Sequence, residues 1–157
     1  MLAIQETTDL DFTGHPATQG LGYLERSYLR GIQVHSILAA SESGVPQGLL
    51  PQRVGVRDDA ELGKKYARHT KATRDKESPR WLDSLAATQA ALPKVPCLVT
   101  GADREADLFD FFAAPRSDNR HWLIRAAQNR CVDGEVGRLF DLLAQAPAAV
   151  VVNLVVA

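Results

Sequence analysis

"PCLVTGADREADLFDFF" (Pro96–Phe112) joins a short apolar run to a cluster of acids and then to an aromatic-rich run. Cys97–Thr100 reads as a strand, and Glu105–Ala114 as a helix that turns Leu108, Phe111 and Phe112 inward. Asp103, Arg104, Glu105 and Asp107 arrive just where one becomes the other. Side chains at strand ends of open α/β sheets are fixed by the sheet yet reach solvent, and ligands bind there.

Working outward, Leu2–Thr8 is a first strand whose alternating beat continues through "TTDLDF". "TGHPATQGLG" is a loop by its Gly, Pro and Thr content. Gly31–Ala40, "GIQVHSILAA", is a second strand, "SESGVPQG" a turn, and "LLPQRVGVR" a third strand with its proline near the start, where an edge tolerates it. A short Gly-Pro turn between two strands predicts an antiparallel hairpin. Asp58–Asp75 is highly charged and reads as irregular or partly helical. "KESPRWLDSLAATQAAL" is a helix with Ser78 as N-cap and Pro79 in the first helical position. Trp81, Leu82, Leu85 and Leu92 form its apolar side, and Pro93 and Pro96 end it. His121–Ala127 is a fifth strand and Gly134–Ala146 a last helix built on Val136, Leu139, Phe140, Leu142 and Leu143. "VVVNLVVA" reads as the beginning of another strand. Three antiparallel strands followed by alternating α/β units predict a mixed sheet with helices packed on it. That is the strand order of a ribonuclease-H-like domain.

Bulk properties narrow the function. With 157 residues the chain suits one domain, and its 45% hydrophobic and 24% charged residues are those of a soluble globular protein. Two cysteines make no disulfide framework, and Cys97 reads as a small buried hydrophobe in a reducing compartment. Lacking a signal peptide or a membrane-length apolar run, the chain is expected in the cytoplasm. A formal net charge of −1 argues against coating nucleic acid by bulk electrostatics, although Arg53–Arg80 is locally basic. No Gly-rich phosphate loop follows a strand, which excludes a nucleotide-binding α/β domain of that type.

Glu6, in the first strand, and Asp103, after the fourth, stand on strands that this order makes neighbours. Two carboxylates within reach of one cation suit Mg²⁺, which takes one or two carboxylates plus water and phosphate oxygens. Asp103 would equally serve as an N-cap. A mid-strand carboxylate such as Glu6 needs a partner or a metal. His35, Trp81 and Trp122 read as core.

Taken in order, "LAIQETTDLDFTGHPATQGLG", "GIQVHSILA", "GVPQGLL", "KESPRWLDSL" and "GADREADLFDFF" closely resemble the catalytic core of bacterial DDE transposases of the insertion-sequence-four family. The resemblance implies a ribonuclease-H-like core in which three acids hold two divalent metals, Mg²⁺ or Mn²⁺, to cleave transposon-end DNA and join it to target DNA. It implies DNA as partner, a nucleoid-associated dimer on DNA for the complete enzyme, a fragment able to stand as a monomer, and no membrane. It puts Asp103 at the second catalytic aspartate and Glu6 at the first, as catalytic and metal-binding residues. The family's Q-D-T-T run is here Gln5-Glu6-Thr7-Thr8, one methylene longer, so reduced activity is expected. Arg104, flanking Asp103, and Arg125 and Arg130 of "HWLIRAAQNR" become candidate DNA contacts. The family's third acid lies in a Y-R-E-K signature beyond a β-rich insertion. No such run occurs in the last helix, where Glu135 is explained as an acid at a helix N-terminus. The chain therefore reads as an incomplete catalytic core over 1–146, followed at 147–157 by the start of a truncated β insertion. Weak metal binding and no useful cleavage are expected. The competing reading is an inactive remnant that keeps the fold and at most binds DNA weakly and nonspecifically through Arg53–Arg80.

Overall fold

In the computed structural model, which describes residues 1–62 and 79–147, the first strand runs longer than its apolar core, Leu2–Asp11 (β1). It pairs antiparallel along its whole length with Arg30–Ala40 (β3), from Leu2 opposite Ala40 to Asp11 opposite Gly31. The other edge of β3 is shared by three short strands: Gly22–Tyr23 (β2), Arg53–Gly55 (β5) and Pro46–Leu49 (β4). On its far side β1 pairs in parallel with Leu98–Ala102 (β6), and β6 in parallel with Arg120–Ile124 (β7). The described residues thus form a mixed seven-stranded sheet in the order β2-β3-β1-β6-β7, with β4 and β5 also on β3. Hairpins give the antiparallel half. The parallel half follows from crossovers through helices Pro79–Ala91 (α1) and Phe109–Phe112 (α2). The third helix is Leu139–Gln145 (α3), so the protein is of mixed α/β class.

Contacts divide the chain into Met1–Arg125, which holds the sheet, and Ala126–Ala157. In the first unit α1 lies on one sheet face. Trp81, Leu85, Ala106 and Phe111 form one buried cluster, against which Ala102, Trp122 and Ile124 pack, and Ala3, Ile37 and Leu98 form a second. Alternation sorts β1 cleanly: Ala3 and Gln5 are buried under α1, whereas Ile4 and Glu6 point the other way and are exposed. That second face is open to water at Ile4 and Leu123. No helix of the described residues is long and apolar enough to cross a membrane.

Several expected elements are redrawn. The third strand breaks into β4 and β5 around Pro51, whose missing N–H interrupts the ladder. Residues 105–114 do not form one helix. Asp103 caps a tight 3-10 turn, Arg104–Ala106, and Leu108 is then extended (φ −116°, ψ 137°), which separates the turn from the single helical turn of α2. Phe111 is fully buried as expected, whereas Phe112 stays 40% exposed. Cys97 falls one residue outside β6 and is exposed rather than buried. In the second unit, Gly134 (φ +75°) and Gly137 (φ +132°) adopt backbone conformations no helix permits, so α3 starts only at Leu139. Glu135 therefore precedes the helix and complements no dipole there, and Val136 is fully exposed. Ser78, most of the charged stretch after Asp58, and "VVVNLVVA" lie outside the described residues.

One close approach is specific enough to test. A Cβ on Gly31 would sit 2.0 Å from the Leu10 carbonyl oxygen and 2.8 Å from Leu24 Cδ1, at the end of the β1–β3 ladder where Gly31 stands opposite Asp11. Gly31→Ala is expected to cost about 1–3 kcal/mol by overpacking. Gly14→Ala, where a Cβ meets nothing within 4 Å, should change little. Urea unfolding of the two variants side by side reads the difference, and equal midpoints would contradict the contact.

Candidate functional site

The β1–β6 register decides where the two acids go. Gln5 stands opposite Ala102 in the last pair of the parallel ladder, so the next residue along each chain segment, Glu6 in mid-β1 and Asp103 just past β6, emerges where the β1–β6 pairing ends. Both line one cavity of about 480 Å³ on the open face, floored by Leu2, Ile4, Val99 and Leu123 and flanked by Arg125. Alternation explains most of the membership: positions 2, 4 and 6 of β1 and 99 and 101 of β6 share this face, and Asp103 follows directly after β6.

Glu6 is exposed, and its Oε1 accepts a hydrogen bond from the N–H of Thr7 at 3.1 Å. Asp103 is half-buried. Its Oδ1 accepts from the N–H of Glu105 at 2.8 Å, so it is an N-cap as well as a cavity residue. Capping uses one carboxylate oxygen and leaves the second available to a ligand. Glu105 turns back toward α1 and pairs with Arg80, with Nη2 to Oε2 at 3.0 Å. Asp107 is buried and ends the same turn, its N–H donating to the Arg104 carbonyl. Two carboxylates and one guanidinium thus border an apolar floor, a combination that could hold a cation and an anionic ligand together.

The remaining candidates separate. Arg125 is at the cavity, its N–H donating to the Ala102 carbonyl at 3.2 Å. Arg104 is exposed on the 3-10 turn and does not line the cavity. Arg130 belongs to the second unit, where its N–H donates to the Gln128 carbonyl. At the ends of the basic stretch, Arg53 is engaged by Asp83 and Arg80 by Glu105. Arg57 stands over the Tyr23 ring, 5.7 Å from its centroid. Among the described residues, no three His, Cys, Asp or Glu side chains converge as a metal-binding group.

His35 is a core residue, as read from the sequence. It lies on the α1 side of the sheet, with Nδ1 2.8 Å from Thr7 Oγ1, Nε2 3.3 Å from Gln5 Oε1, and its ring edge-on to Trp81 at 4.6 Å. The amide carbonyl can only accept, so Nε2 carries the proton and Nδ1 accepts from the threonine hydroxyl. Trp122 likewise packs against the core, edge-on to Phe111 at 5.6 Å. The sequence marks Arg80 only as the end of the basic Arg53–Arg80 stretch, not as a junction between elements. Its partners, Gln33 and Glu105, are 47 and 25 residues away, and no local pattern signals such a junction.

No protein-family model matches the chain, and no curated protein matches it.

Proposed function

We propose that this chain carries the core of a divalent-metal-dependent enzyme of DNA phosphoryl transfer, on a ribonuclease-H-like sheet of the kind used by DDE transposases of the insertion-sequence-four family. The observation that carries the reading is the meeting of Glu6 and Asp103, 97 residues apart in the chain, at one cavity through the parallel β1–β6 register. The sheet order supports the fold half of the proposal. An antiparallel β3–β1 pair continues into parallel β6 and β7, with a helix between β3 and β6.

The two acids suit Mg²⁺ or Mn²⁺. Glu6 is exposed, Asp103 has an oxygen beyond the one used in capping, and an ion of this kind takes one or two carboxylates and completes its shell with water and phosphate. Bound there, such an ion would supply Lewis-acid stabilisation of the charge that develops on a phosphate oxygen. Glu6 and Asp103 would hold it, Arg125 would draw the DNA phosphate toward the same cavity, and exposed Arg104 would meet the backbone further along the strand. Two carboxylates offset only part of the charge of a two-metal site, so binding is expected to be weak and cleavage slow.

Mn²⁺ broadening of backbone NMR signals tests this directly. Titration should broaden Glu6, Asp103 and their strand neighbours first. Glu6→Gln and Asp103→Asn should each weaken the effect about tenfold, as expected for losing one charged ligand. Broadening confined to other surface acids, unchanged by either variant, overturns the metal site. A chain that binds DNA in a salt-sensitive way without that broadening would be the non-catalytic remnant instead.

A further inference from the structure

We infer that Arg80 is a positioning residue for Asp103, acting through Glu105; the inference rests on the reading of Asp103 as a metal ligand. Arg80 is the second residue of α1, and its side chain is only 16% exposed. A guanidinium so covered is kept by its acceptors, and here they come from separate elements. Nη1 donates to Gln33 Oε1 on β3 at 3.2 Å, and Nη2 donates to Glu105 Oε2 on the turn after β6 at 3.0 Å. Gln33 in turn donates through Nε2 to Asp9 Oδ1 on β1 at 2.9 Å. One side chain therefore ties the Asp103 turn to α1 and to the β3–β1 ladder.

The tie matters because of what Glu105 does with its backbone. Its N–H is the group that holds Asp103 Oδ1. The turn is three residues of 3-10 helix followed by an extended Leu108, so no long helix keeps that N–H in place. Clamping the Glu105 side chain fixes the residue whose amide orients the candidate ligand. A metal ligand must be held to within about half an ångström, which is the precision such a clamp provides. The planar two-pronged guanidinium can reach Gln33 and Glu105 together, and a lysine ammonium at the same place cannot match that geometry.

A positioning role and a plain charge effect predict opposite signs. Removing a positive charge near a cation site strengthens cation binding, whereas losing the clamp weakens it. The test uses the whole chain with Arg80→Ala, Arg80→Lys, Glu105→Ala and the Arg80/Glu105 double alanine variant. Glu105→Ala keeps the backbone N–H and removes a half-exposed side chain, so folding is preserved even if Arg80→Ala lowers stability. Two readouts are taken: the ¹⁵N order parameter of the residue-105 amide, and Mn²⁺ broadening at Glu6 and Asp103. Both single alanine variants should lower the order parameter from about 0.85 toward 0.6 and weaken Mn²⁺ binding several-fold. The double variant should add nothing further, and Arg80→Lys should recover part of each effect. An unchanged order parameter, or tighter Mn²⁺ binding in Arg80→Ala, overturns the inference. If the unmodified chain shows no Mn²⁺ effect at Glu6 and Asp103, the metal reading fails separately, and the residue-105 order parameter alone decides whether the clamp exists.

Discussion

Replacing Trp81 by alanine is expected to lower the unfolding free energy by about 3–5 kcal/mol, the range for deleting a buried aromatic side chain. Trp81 is 2% exposed and sits where three parts of the first unit meet. It anchors α1, packs with Leu85, Ala106 and Phe111, and lies edge-on to His35 of β3. Its loss removes a large part of the buried apolar side of α1, leaving Leu85 alone in the cluster from the helix's fully buried face, and leaves a void that close-packed neighbours fill only in part. Domains of this size retain about 5–15 kcal/mol in total, so one substitution consumes a large share. Phe109→Ala is the natural control. Phe109 is 78% exposed on α2, and its truncation should stay within about 0.5 kcal/mol. Urea unfolding followed by tryptophan-independent circular dichroism measures both. A loss below about 1 kcal/mol for Trp81→Ala would be incompatible with α1 docked through this residue.

The second large effect is a loss of stability in mild acid. Burial pushes the His35 imidazole down from its ordinary 6.5 to about 4, with the charges of Arg80 and then Arg53 adding to the shift. The folded state therefore holds the ring neutral across a range in which the unfolded chain binds a proton. Its contribution is complete above pH 6.5 and drains away as the pH falls from 6.5 to about 4. At about 1.4 kcal/mol per pH unit, the full loss is of order 3 kcal/mol. Protonation would also turn Nδ1 from acceptor to donor, so the Thr7 hydroxyl would have to rotate and accept in place of donating. His35→Gln removes the titrating group while keeping a polar side chain. Denaturant midpoints of parent and variant between pH 7 and 4 should converge as the parent loses its advantage. Parallel curves would show that His35 does not titrate differently on folding.

Local chemistry explains which parts of this architecture can be read from residues alone. β1 and β3 are long enough for alternation to declare itself, and each carries one buried and one less buried face. β2 and β5 hold two and three residues and have no period to detect; they exist because β3 offers an edge. Residues 105–114 have the composition of a helix, yet the Asp103 cap and the extended Leu108 divide them. Cys97 shows how much one register position matters, since the buried face of β6 begins at Leu98. The two acids stand out in the sequence for different reasons, Asp103 because it follows directly on a strand end and Glu6 because it is a carboxylate in mid-strand. The clamp on one of them does not, because Arg80 and Glu105 are joined only by the packing of α1 beside the sheet.

The two edges of β1 also differ in time. Its antiparallel partner begins at Arg30, soon after the strand itself, whereas its parallel partner starts at Leu98. Closing that second pairing carries the entropy of a far longer loop, and non-local pairings of this kind slow folding. During synthesis at about 5–20 residues per second, β1 and β3 can zip while the Leu2–Gln5 edge waits roughly 5–20 s for β6 to emerge. Until then the chain presents a strand with unpaired backbone groups and with Leu2 and Ile4 on its apolar side, the form most prone to joining another copy. The pairing that brings Glu6 beside Asp103 is thus also the one that closes this edge, so the site and protection from aggregation arrive in the same step.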